Sequence, residues 1–308
     1  MLVDWLVVRN TNTLFKRHIL FIASCHDMMY VSTQYLECVE FVVTTSKGLT
    51  RFGGFAPHKY KIKTFRCEDN MKEFRKQLRD TFKLTYFGQT FNLYNRPAPF
   101  KMLNEWLVLD LSEILKLSTR HVCFQPPHII VFDMDSTLIT EEEEVQIRDP
   151  RIYYSLEQLK KNNCKLCLWS YGDREHVVDS MKKVDIEKYF DIVLAEGNKR
   201  GIYSTRETED RVYDKHYTAT PFHLNVDRLM LPKSPRVVLY YLKEKGVNFF
   251  KSITLVDDLR ENDFNYDNFV NLDRCPVPVH DWHVWYNKIV EYINHFDTVS
   301  HRYENECV

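Results

Sequence analysis

The chain has 308 residues, of which 44% are hydrophobic and 14% aromatic, so it can bury a sizeable core and is not a largely disordered protein. This length is sufficient for two domains. Its 42 Lys and Arg side chains are balanced by 43 Asp and Glu side chains, which excludes the strongly basic composition of a protein that coats nucleic acid.

The first residues do not have the pattern of a targeting segment. The opening MLVDWLVVRN is too short for a secretory leader and contains Asp4, and no stretch reaches the apolar length of a membrane span. We therefore expect the eight cysteines to be reduced, as in the cytosol or the nucleus. Cys164 and Cys167 have the spacing of half a zinc site, but the apolar run KLCLW favours a buried strand.

Residues 1–125 are predicted to form a mixed α/β region with a structural or partner-binding role. Periodicity and turn residues predict strands at 2–8 and 39–44, turns at 46–48 and 52–54, and helices at 68–82 and 103–117. The region contains no recognisable chemical motif. Gln125-Pro126-Pro127 marks its end, because consecutive prolines end regular structure.

From residue 126 onward, strands are predicted to alternate with helices. The strands are expected at 128–132, 165–169, 190–195 and 252–256, and the helices at 153–163, 173–183, 234–244 and 282–296. This alternation indicates a parallel sheet with helices on both faces. The uniformly apolar strands agree, because such strands are buried on both sides.

Aromatic and histidine side chains in this second region are expected to have structural roles. The last helix carries an aromatic stripe that favours a core face over a partner surface, formed by Trp282, Trp285, Tyr286 and Tyr292. Five histidines show no ligand spacing to a nearby cysteine and are expected to be structural or exposed, namely His121, His128, His280, His283 and His295.

Polar side chains lie where the predicted strands end or where a helix begins. In chain order they are the acid pair Asp133 and Asp135, the hydroxyl of Ser170, the ammonium of Lys233 and the acid pair Asp257 and Asp258. Carboxylates in such a place repel one another and lose hydration unless a cation joins them. Ligands also bind at the carboxyl ends of strands in open α/β sheets, so the set predicts a metal site, a phosphate site, or both.

Over residues 128–275, this ordered set resembles the haloacid dehalogenase superfamily of phosphotransferases. The run DMDSTL is most similar to the branch of protein phosphatases that act on the RNA polymerase C-terminal domain, and DDLREN fits that branch. The resemblance implies a parallel-sheet, Rossmann-like α/β core over 126–308. It also implies magnesium-dependent phosphoprotein phosphatase activity.

The resemblance assigns a separate role to each residue. Asp133 would be the nucleophile that forms an aspartyl-phosphate, and Asp135 the general acid and then the general base. Magnesium would bind Asp133, the backbone carbonyl of Asp135, and Asp257, with Asp258 close by. The phosphoryl oxygens would be bound by Thr137, Ser170 and Lys233.

The surroundings of the site indicate a protein substrate. Too few residues separate Asp135 from Ser170 for a large cap domain, and residues 197–231 are expected to form a small β insertion. An open site suits a protein better than a metabolite. Four consecutive acids are either a solvated loop or an acidic lip that attracts a basic phosphoprotein: Glu141, Glu142, Glu143 and Glu144.

The chain as a whole, including the run FDMDSTLITEEEEVQIRDPRIY, is similar to a family of baculovirus nucleocapsid-assembly proteins. This similarity implies a virion-associated protein that works in the host nucleus and contacts capsid proteins. A phosphorylated, arginine-rich, DNA-condensing protein would be the substrate. We expect no membrane association and no direct binding to nucleic acid, and a homo-oligomer formed through residues 1–125 stays open.

Two other hypotheses stay open from the sequence. The chain could be an assembly scaffold that keeps a phosphatase fold without essential chemistry, although no member of the predicted catalytic set is missing. It could also act on a small molecule or on the end of a nucleic acid. The absence of a large cap and the modest basic content count against that last class.

Overall fold

The computed structural model describes residues 2–46, 59–117, 125–141, 145–197, 217–219 and 232–306. The chain divides into two units, each described by itself. The first comprises Met1–Phe124, Gly246–Phe249 and Tyr303–Val308, and the second comprises Gln125–Lys245 and Phe250–Arg302. Several predictions lie outside the described residues, in whole or in part: the turns at 46–48 and 52–54, His121, Glu142 to Glu144, and most of the insertion at 197–231.

The part of the first unit that the structure describes is built on a six-stranded mixed sheet. Its strands are β1 (Leu2–Asn10), β2 (Ile19–Phe21), β3 (Phe41–Thr45), β4 (Tyr60–Glu68), β5 (Thr90–Asn92) and β6 (Val108–Asp110), in the order β4-β1-β3-β2-β5-β6. Its helices are α1 (Thr33–Leu36), α2 (Met71–Phe82) and α3 (Lys101–Asn104), with 3-10 helices at Cys25–Tyr30 and Leu111–Lys116. β1 is antiparallel to β3 and β4, and the remaining pairs are parallel. The mixed α/β character predicted for this region is confirmed.

The helix predicted over 103–117 is wrong. Residues 108–110 instead pair with β5 as an edge strand, and a 3-10 helix follows. Asp110 caps this helix by accepting a hydrogen bond from the Ser112 amide at 2.8 Å, and the Glu113 side chain accepts one from the Asp110 amide at 3.4 Å. Pairing with β5 and the cap at Asp110 therefore outweigh the helical spacing of apolar residues in this segment.

Within its described residues, the second unit is built on a six-stranded sheet in which every pair is parallel, as the alternating pattern predicts. Its strands are β7 (His128–Phe132), β8 (Cys164–Ser170), β9 (Ile192–Ala195), β10 (Tyr217–Ala219), β11 (Ile253–Asp257) and β12 (Asn268–Asn271), in the order β10-β9-β8-β7-β11-β12. Its helices are α4 (Arg151–Lys161), α5 (Arg174–Lys183), α6 (Pro235–Glu244) and α7 (Trp282–Glu306), with 3-10 helices at Glu187–Tyr189 and Arg260–Asn262.

The core of the second unit is formed where helices cover this sheet. Trp282 is fully buried and Trp285 nearly so, and both pack into one apolar cluster with β7 and β8, which supports a core role for the start of the aromatic stripe. Cys164 and Cys167 are buried in β8, and burial raises the pKa of the Cys164 thiol to about 12. Such a thiol is inert at neutral pH. No helix in the described part of the chain is long and apolar enough to cross a membrane.

His128 anchors the beginning of β7 through both ring nitrogens. Nδ1 lies 2.7 Å from the Ser252 hydroxyl, and Nε2 lies 3.2 Å from a carboxylate oxygen of Asp297 on α7. Lys251 donates to the same oxygen at 2.7 Å. Although Ser, His and Asp are aligned here, Ser252 is fully buried and no substrate could reach it, so the group is structural.

Asp297 should stabilise the second unit in a pH-dependent way. Burial raises the pKa of this carboxyl, but hydrogen bonds from His128 and Lys251 outweigh burial and lower the pKa to about 2, below its ordinary 3.8. The stabilisation is therefore present above about pH 4 and is lost as the pH falls through the folded-state pKa. We expect Asp297→Asn to lower the free energy of unfolding by about 1–2 kcal/mol at pH 7, allowing for partial exposure of the pair.

Urea unfolding at several pH values between neutral and strongly acidic checks this expectation. The difference in free energy of unfolding between the wild type and Asp297→Asn should become smaller as the Asp297 carboxyl becomes protonated. Glu291→Gln, an exposed acid on the same helix, is the matched control and should change stability by less than about 0.5 kcal/mol at any pH. A difference that stays constant into strong acid would contradict the assigned role.

Candidate functional site

Three carboxylates converge at the carboxyl edge of the parallel sheet. Asp133 follows β7, Asp257 ends the neighbouring strand β11, and Asp258 comes next in the chain. One carboxylate oxygen from each lies within 4.8 Å of the others. Among the described residues, no other group of His, Cys, Asp and Glu has the spacing to hold a metal ion. We call these three residues the acidic triad, and an all-oxygen donor set of this kind suits a hard divalent cation such as Mg²⁺.

Lys233 lies inside this cluster, directly before the Ser234 cap of α6. Its ammonium donates hydrogen bonds to the carboxylates of Asp133 and Asp257, the second at 2.8 Å, and only 1% of its side chain is exposed. Burial alone would lower the pKa of Lys233, but the two carboxylates outweigh it and raise that pKa, so the side chain is a cation. Three carboxylates and one ammonium leave two negative charges, which is the charge that one divalent cation neutralises.

Burial strongly affects the ionisation of the triad itself. It raises the pKa of Asp133 to about 7, with Lys233 opposing the shift and Asp257 adding to it. Burial, together with the charge of Asp257, also raises the pKa of Asp258. A cation in this place would favour the ionised form of both carboxyls.

Asp257 is held in place by amide groups of its own loop and of the next strand. The side-chain amide of Asn262 donates to both carboxylate oxygens, at 3.1 and 3.0 Å, and the Leu259 amide donates to one of them at 2.8 Å. Asn271 on β12 donates to the backbone carbonyls of Asp257 and Asp258, at 3.0 and 2.9 Å. Asn262 therefore orients a carboxylate rather than extending the acidic triad.

Asp135 has other partners, although it lies only two residues after Asp133. One of its carboxylate oxygens accepts a hydrogen bond from the Ser170 hydroxyl at 2.8 Å, and the other lies 2.6 Å from Nε2 of His176. Ser170 Oγ in turn accepts a bond from the Gly172 amide at 3.0 Å. A serine has one hydroxyl proton, and Ser170 donates it to Asp135. In this arrangement Ser170 therefore has no proton to donate to a phosphoryl oxygen, which was its predicted contact.

His176 was missed by sequence reasoning. It lies in the first turn of α5, where its amide donates to the Asp173 cap at 2.8 Å. The available signal was the run SYGDREH, in which a capping Asp stands three residues before a His just beyond a strand end. That signal places the residue near the site without identifying its partner.

Arg148 bonds to the loop that begins with Asp133 and Asp135. Ser136 has a left-handed backbone with φ of 60°, which is unfavourable for a residue other than glycine. Nη1 of Arg148 donates to the Ser136 carbonyl at 3.1 Å and to the Asp273 carbonyl at 2.9 Å, while the rest of the guanidinium forms a two-point contact with Asp281. Sequence reasoning missed Arg148, which stands in a run of charged residues that suggests a solvated surface.

Thr137, predicted to bind phosphate, is fully buried directly behind this loop. Its hydroxyl oxygen has no hydrogen-bond partner among the residues that the structure describes. A buried hydroxyl without a partner costs free energy. Thr137 is not among the residues that line the cleft described below, so its contact with a phosphoryl oxygen stays a prediction.

An ion pair stands at the mouth of the site. The Glu141 carboxylate accepts a hydrogen bond from the Ser136 hydroxyl and pairs with Arg274 at 2.6 Å, and Arg274 also lies 3.5 Å from Asp258. The bond from Ser136 is the main cause of a lowered pKa for Glu141. Glu141 is therefore engaged by the protein itself, and an acidic lip would depend on the other three glutamates.

A cleft of about 150 Å³ opens beside the acidic triad. Its lining includes Asp133, Asp135, Tyr171, Asp258 and Arg274. Asp133 and Asp258 of the acidic triad thus share one solvent-accessible space with Asp135, while Asp257 and Lys233 lie buried behind it.

Comparisons with known proteins place the whole chain in a viral family. The family described as Protein of unknown function (DUF705) matches residues 3–301. An uncharacterized 41.0 kDa protein of Cryptophlebia leucotreta granulosis virus is 48% identical over 297 residues, covering 95% of this chain and 85% of the relative. An uncharacterized 36.0 kDa protein of Orgyia pseudotsugata multicapsid polyhedrosis virus is 38% identical over 306 residues, covering 97% and 98%.

A third relative and one solved structure complete the comparison. An uncharacterized 38.0 kDa protein of Autographa californica nuclear polyhedrosis virus is 35% identical over 311 residues, covering 95% of this chain and 96% of the relative. A chain in the structure of the Pnkp1/Rnl/Hen1 complex aligns with a TM-score of 0.29 at 12% identity, over 86% of this chain and 99% of that one, which is too low to inform the fold. The chain belongs to the DUF705 family, which has members in baculoviruses.

Proposed function

We propose that this protein is a magnesium-dependent phosphoprotein phosphatase that acts through an aspartyl-phosphate. The observation that carries the proposal is the arrangement of the acidic triad around Lys233, with Asp135 in the same cleft but bonded to Ser170 and His176. Asp133 thereby lies among the charges of Lys233, Asp257 and Asp258, whereas Asp135 has separate partners and can transfer a proton. The assignment of 126–308 to a haloacid-dehalogenase-like fold is part of this proposal.

In the first step, a carboxylate oxygen of Asp133 attacks the phosphorus of a phosphorylated side chain. The bond from phosphorus to the side-chain oxygen breaks, and Asp135 gives its proton to that oxygen. Lys233 contacts Asp133 and offsets negative charge where it develops. Thr137 would donate to a phosphoryl oxygen, while Ser170 would orient Asp135.

In the second step, water attacks the phosphorus of the aspartyl-phosphate. Asp135, now a carboxylate, takes a proton from that water, and the bond from phosphorus to Asp133 breaks. Inorganic phosphate leaves, and both acids return to their starting forms. One group therefore serves as acid and then as base, which requires that Asp135 keep its place through both steps.

A magnesium ion held by the acidic triad and the Asp135 backbone carbonyl would supply the positive charge that allows a carboxylate to approach a phosphate dianion. The residues fit this ion on two counts. All three side-chain donors are carboxylates, and Lys233 leaves two of their charges unbalanced.

The proposed substrate is a phosphorylated, basic, DNA-condensing protein that is processed during nucleocapsid assembly in the host nucleus, with capsid proteins as further partners. The viral origin of the relatives and the acidic run at 141–144 support this choice of substrate. The run 197–231, predicted to be a small β insertion, is described only at Gly197 and at β10, which extends the parallel sheet beside β9.

The test compares phosphate release by the wild type and Asp133→Asn, with magnesium or with a chelator. The substrates are 4-nitrophenyl phosphate and a phosphorylated arginine-rich peptide. We expect magnesium-dependent release by the wild type, faster on the peptide, and a loss of at least about 10³-fold in the variant. Asp185→Asn, an exposed acid outside the cleft, is the control and should leave the rate unchanged. Equal rates for wild type and Asp133→Asn would end the enzyme hypothesis in favour of a scaffold.

A further inference from the structure

Asp135 is held by two side chains that come from the elements following it in the chain. Ser170 ends β8, and His176 lies in the first turn of α5. The Ser170 hydroxyl contacts one carboxylate oxygen at 2.8 Å, and Nε2 of His176 contacts the other at 2.6 Å. A carboxyl group fixed at both oxygens cannot rotate about its own bond without breaking one of these contacts.

Gly172, in the turn between β8 and α5, leaves space for the imidazole of His176 to reach Asp135. A Cβ atom placed on Gly172 would lie 2.7 Å from Cδ2 of His176 and 3.2 Å from the Ser170 hydroxyl oxygen. Any side chain at residue 172 would therefore push the ring away from Asp135 or disturb Ser170. Asp173 then caps α5 through the His176 amide, which fixes the backbone from which the ring extends.

We propose that His176 is a positioning residue for Asp135, and this inference rests on the proposed phosphatase function. The imidazole and the Ser170 hydroxyl together hold the carboxyl group so that its proton lies toward the leaving oxygen in the first step. Phosphorus then bonds to Asp133 as its bond to the leaving oxygen breaks, and the proton passes from Asp135 to that oxygen. His176 does not contact the reacting phosphorus in this scheme and acts only through Asp135.

The role predicts a dependence on the leaving group. A serine oxygen is a strong base and needs the proton from Asp135 as it departs, whereas 4-nitrophenolate is a weak base and departs without one. Misplacing the carboxyl should therefore slow the first step on phosphoserine and leave that step on the aryl ester nearly unchanged. Both substrates share the second step, so only the first turnover separates the two cases.

The experiment measures leaving-group release in the first turnover, with enzyme in excess and magnesium present. We expect His176→Ala to slow release from a phosphoserine peptide by about 10- to 100-fold and release from 4-nitrophenyl phosphate by less than about 3-fold. Peptide affinity should stay within about 3-fold of the wild type, because the lost contact is not to the substrate. His176→Gln, whose side-chain amide can still donate to Asp135, should regain most of the lost rate.

A matched control is His283→Ala, which removes an exposed histidine from the first turn of α7 and should change neither rate. Equal losses on the two substrates, no loss on either, or no regain in His176→Gln would overturn the role of His176. A wild type that releases no phosphate with magnesium would instead overturn the proposed function, so the two failures are distinguishable.

Discussion

Lys233→Met is expected to make the stability of the protein depend on magnesium. The variant removes the buried ammonium that contacts Asp133 and Asp257 and leaves these two carboxylates without it, while Arg274, which is paired with Glu141, still lies 3.5 Å from Asp258. Breaking a buried ion pair in this way costs about 3–5 kcal/mol, because the remaining charges stay desolvated. Methionine fills a similar volume, so the loss reports on charge rather than on a cavity.

Thermal unfolding with a chelator and with magnesium measures this effect. The metal-free variant should unfold well below the wild type, and magnesium should raise its unfolding temperature more than that of the wild type, since the cation replaces the missing charge. Phosphate release should fall by at least about 10²-fold even with magnesium, because the ammonium also offsets charge in the transition state. Lys161→Met at the end of α4 removes an exposed ion pair with Glu157 and should have little effect. A metal-free Lys233→Met as stable as the wild type would show that the ammonium does not balance the triad.

Arg148→Met is expected to reduce stability and activity together. The guanidinium is fully buried and bonds the Asp281 carboxylate at two points, both at 2.7 Å, as well as the carbonyls of Ser136 and Asp273. Its removal takes this donor from the two carbonyls and leaves Asp281 with the Trp285 indole, at 2.9 Å, in place of an ion pair. We expect this to lower the free energy of unfolding by about 3–5 kcal/mol. Arg302→Met removes an exposed arginine of α7 and should cost less than about 1 kcal/mol.

The double variant Arg148→Met with Asp281→Leu separates the two effects of Arg148. Replacing both charged partners by apolar side chains should restore much of the stability, as it does for other buried ion pairs. The loop at Ser136 would still lack its donor, so phosphate release should stay slow. Denaturant unfolding and phosphate release are measured on the same preparations. Full recovery of activity in the double variant would show that Arg148 does not position the loop.

The sequence predicted best those elements that a short local pattern of residues defines. An uninterrupted apolar run before Asp133 predicts a strand buried on both faces, and β7 is that strand. The pair Ser234-Pro235 has the residue types of a helix cap and first turn, and α6 begins there, which places Lys233 just outside the helix. Local signals of this kind located Asp133, Lys233 and Asp257 relative to one sheet.

The remaining features depend on residues that are distant in the chain. Arg148 resembles a solvated charge by its neighbours, yet its partner Asp281 is 133 residues away. The partners of Asp135 lie 35 and 41 residues further on, and no spacing rule connects an acid to a histidine in a later helix. The three-residue strands β2, β5 and β6 are too short to show a period, and pairing defines them.

The strand order of the second unit explains why the cleft lies where it does. From β7 the chain proceeds outward through β8, β9 and β10, then returns and adds β11 and β12 on the opposite side of β7. The connections that leave β7 and β11 therefore diverge to opposite flanks of the sheet, and a crevice opens between them at a topological switch point. This crevice is a property of chain topology and does not require any acid. Relatives with this strand order would keep a ligand-sized opening even where Asp133 or Asp257 is replaced, so a change of chemistry in this family need not involve a change of fold.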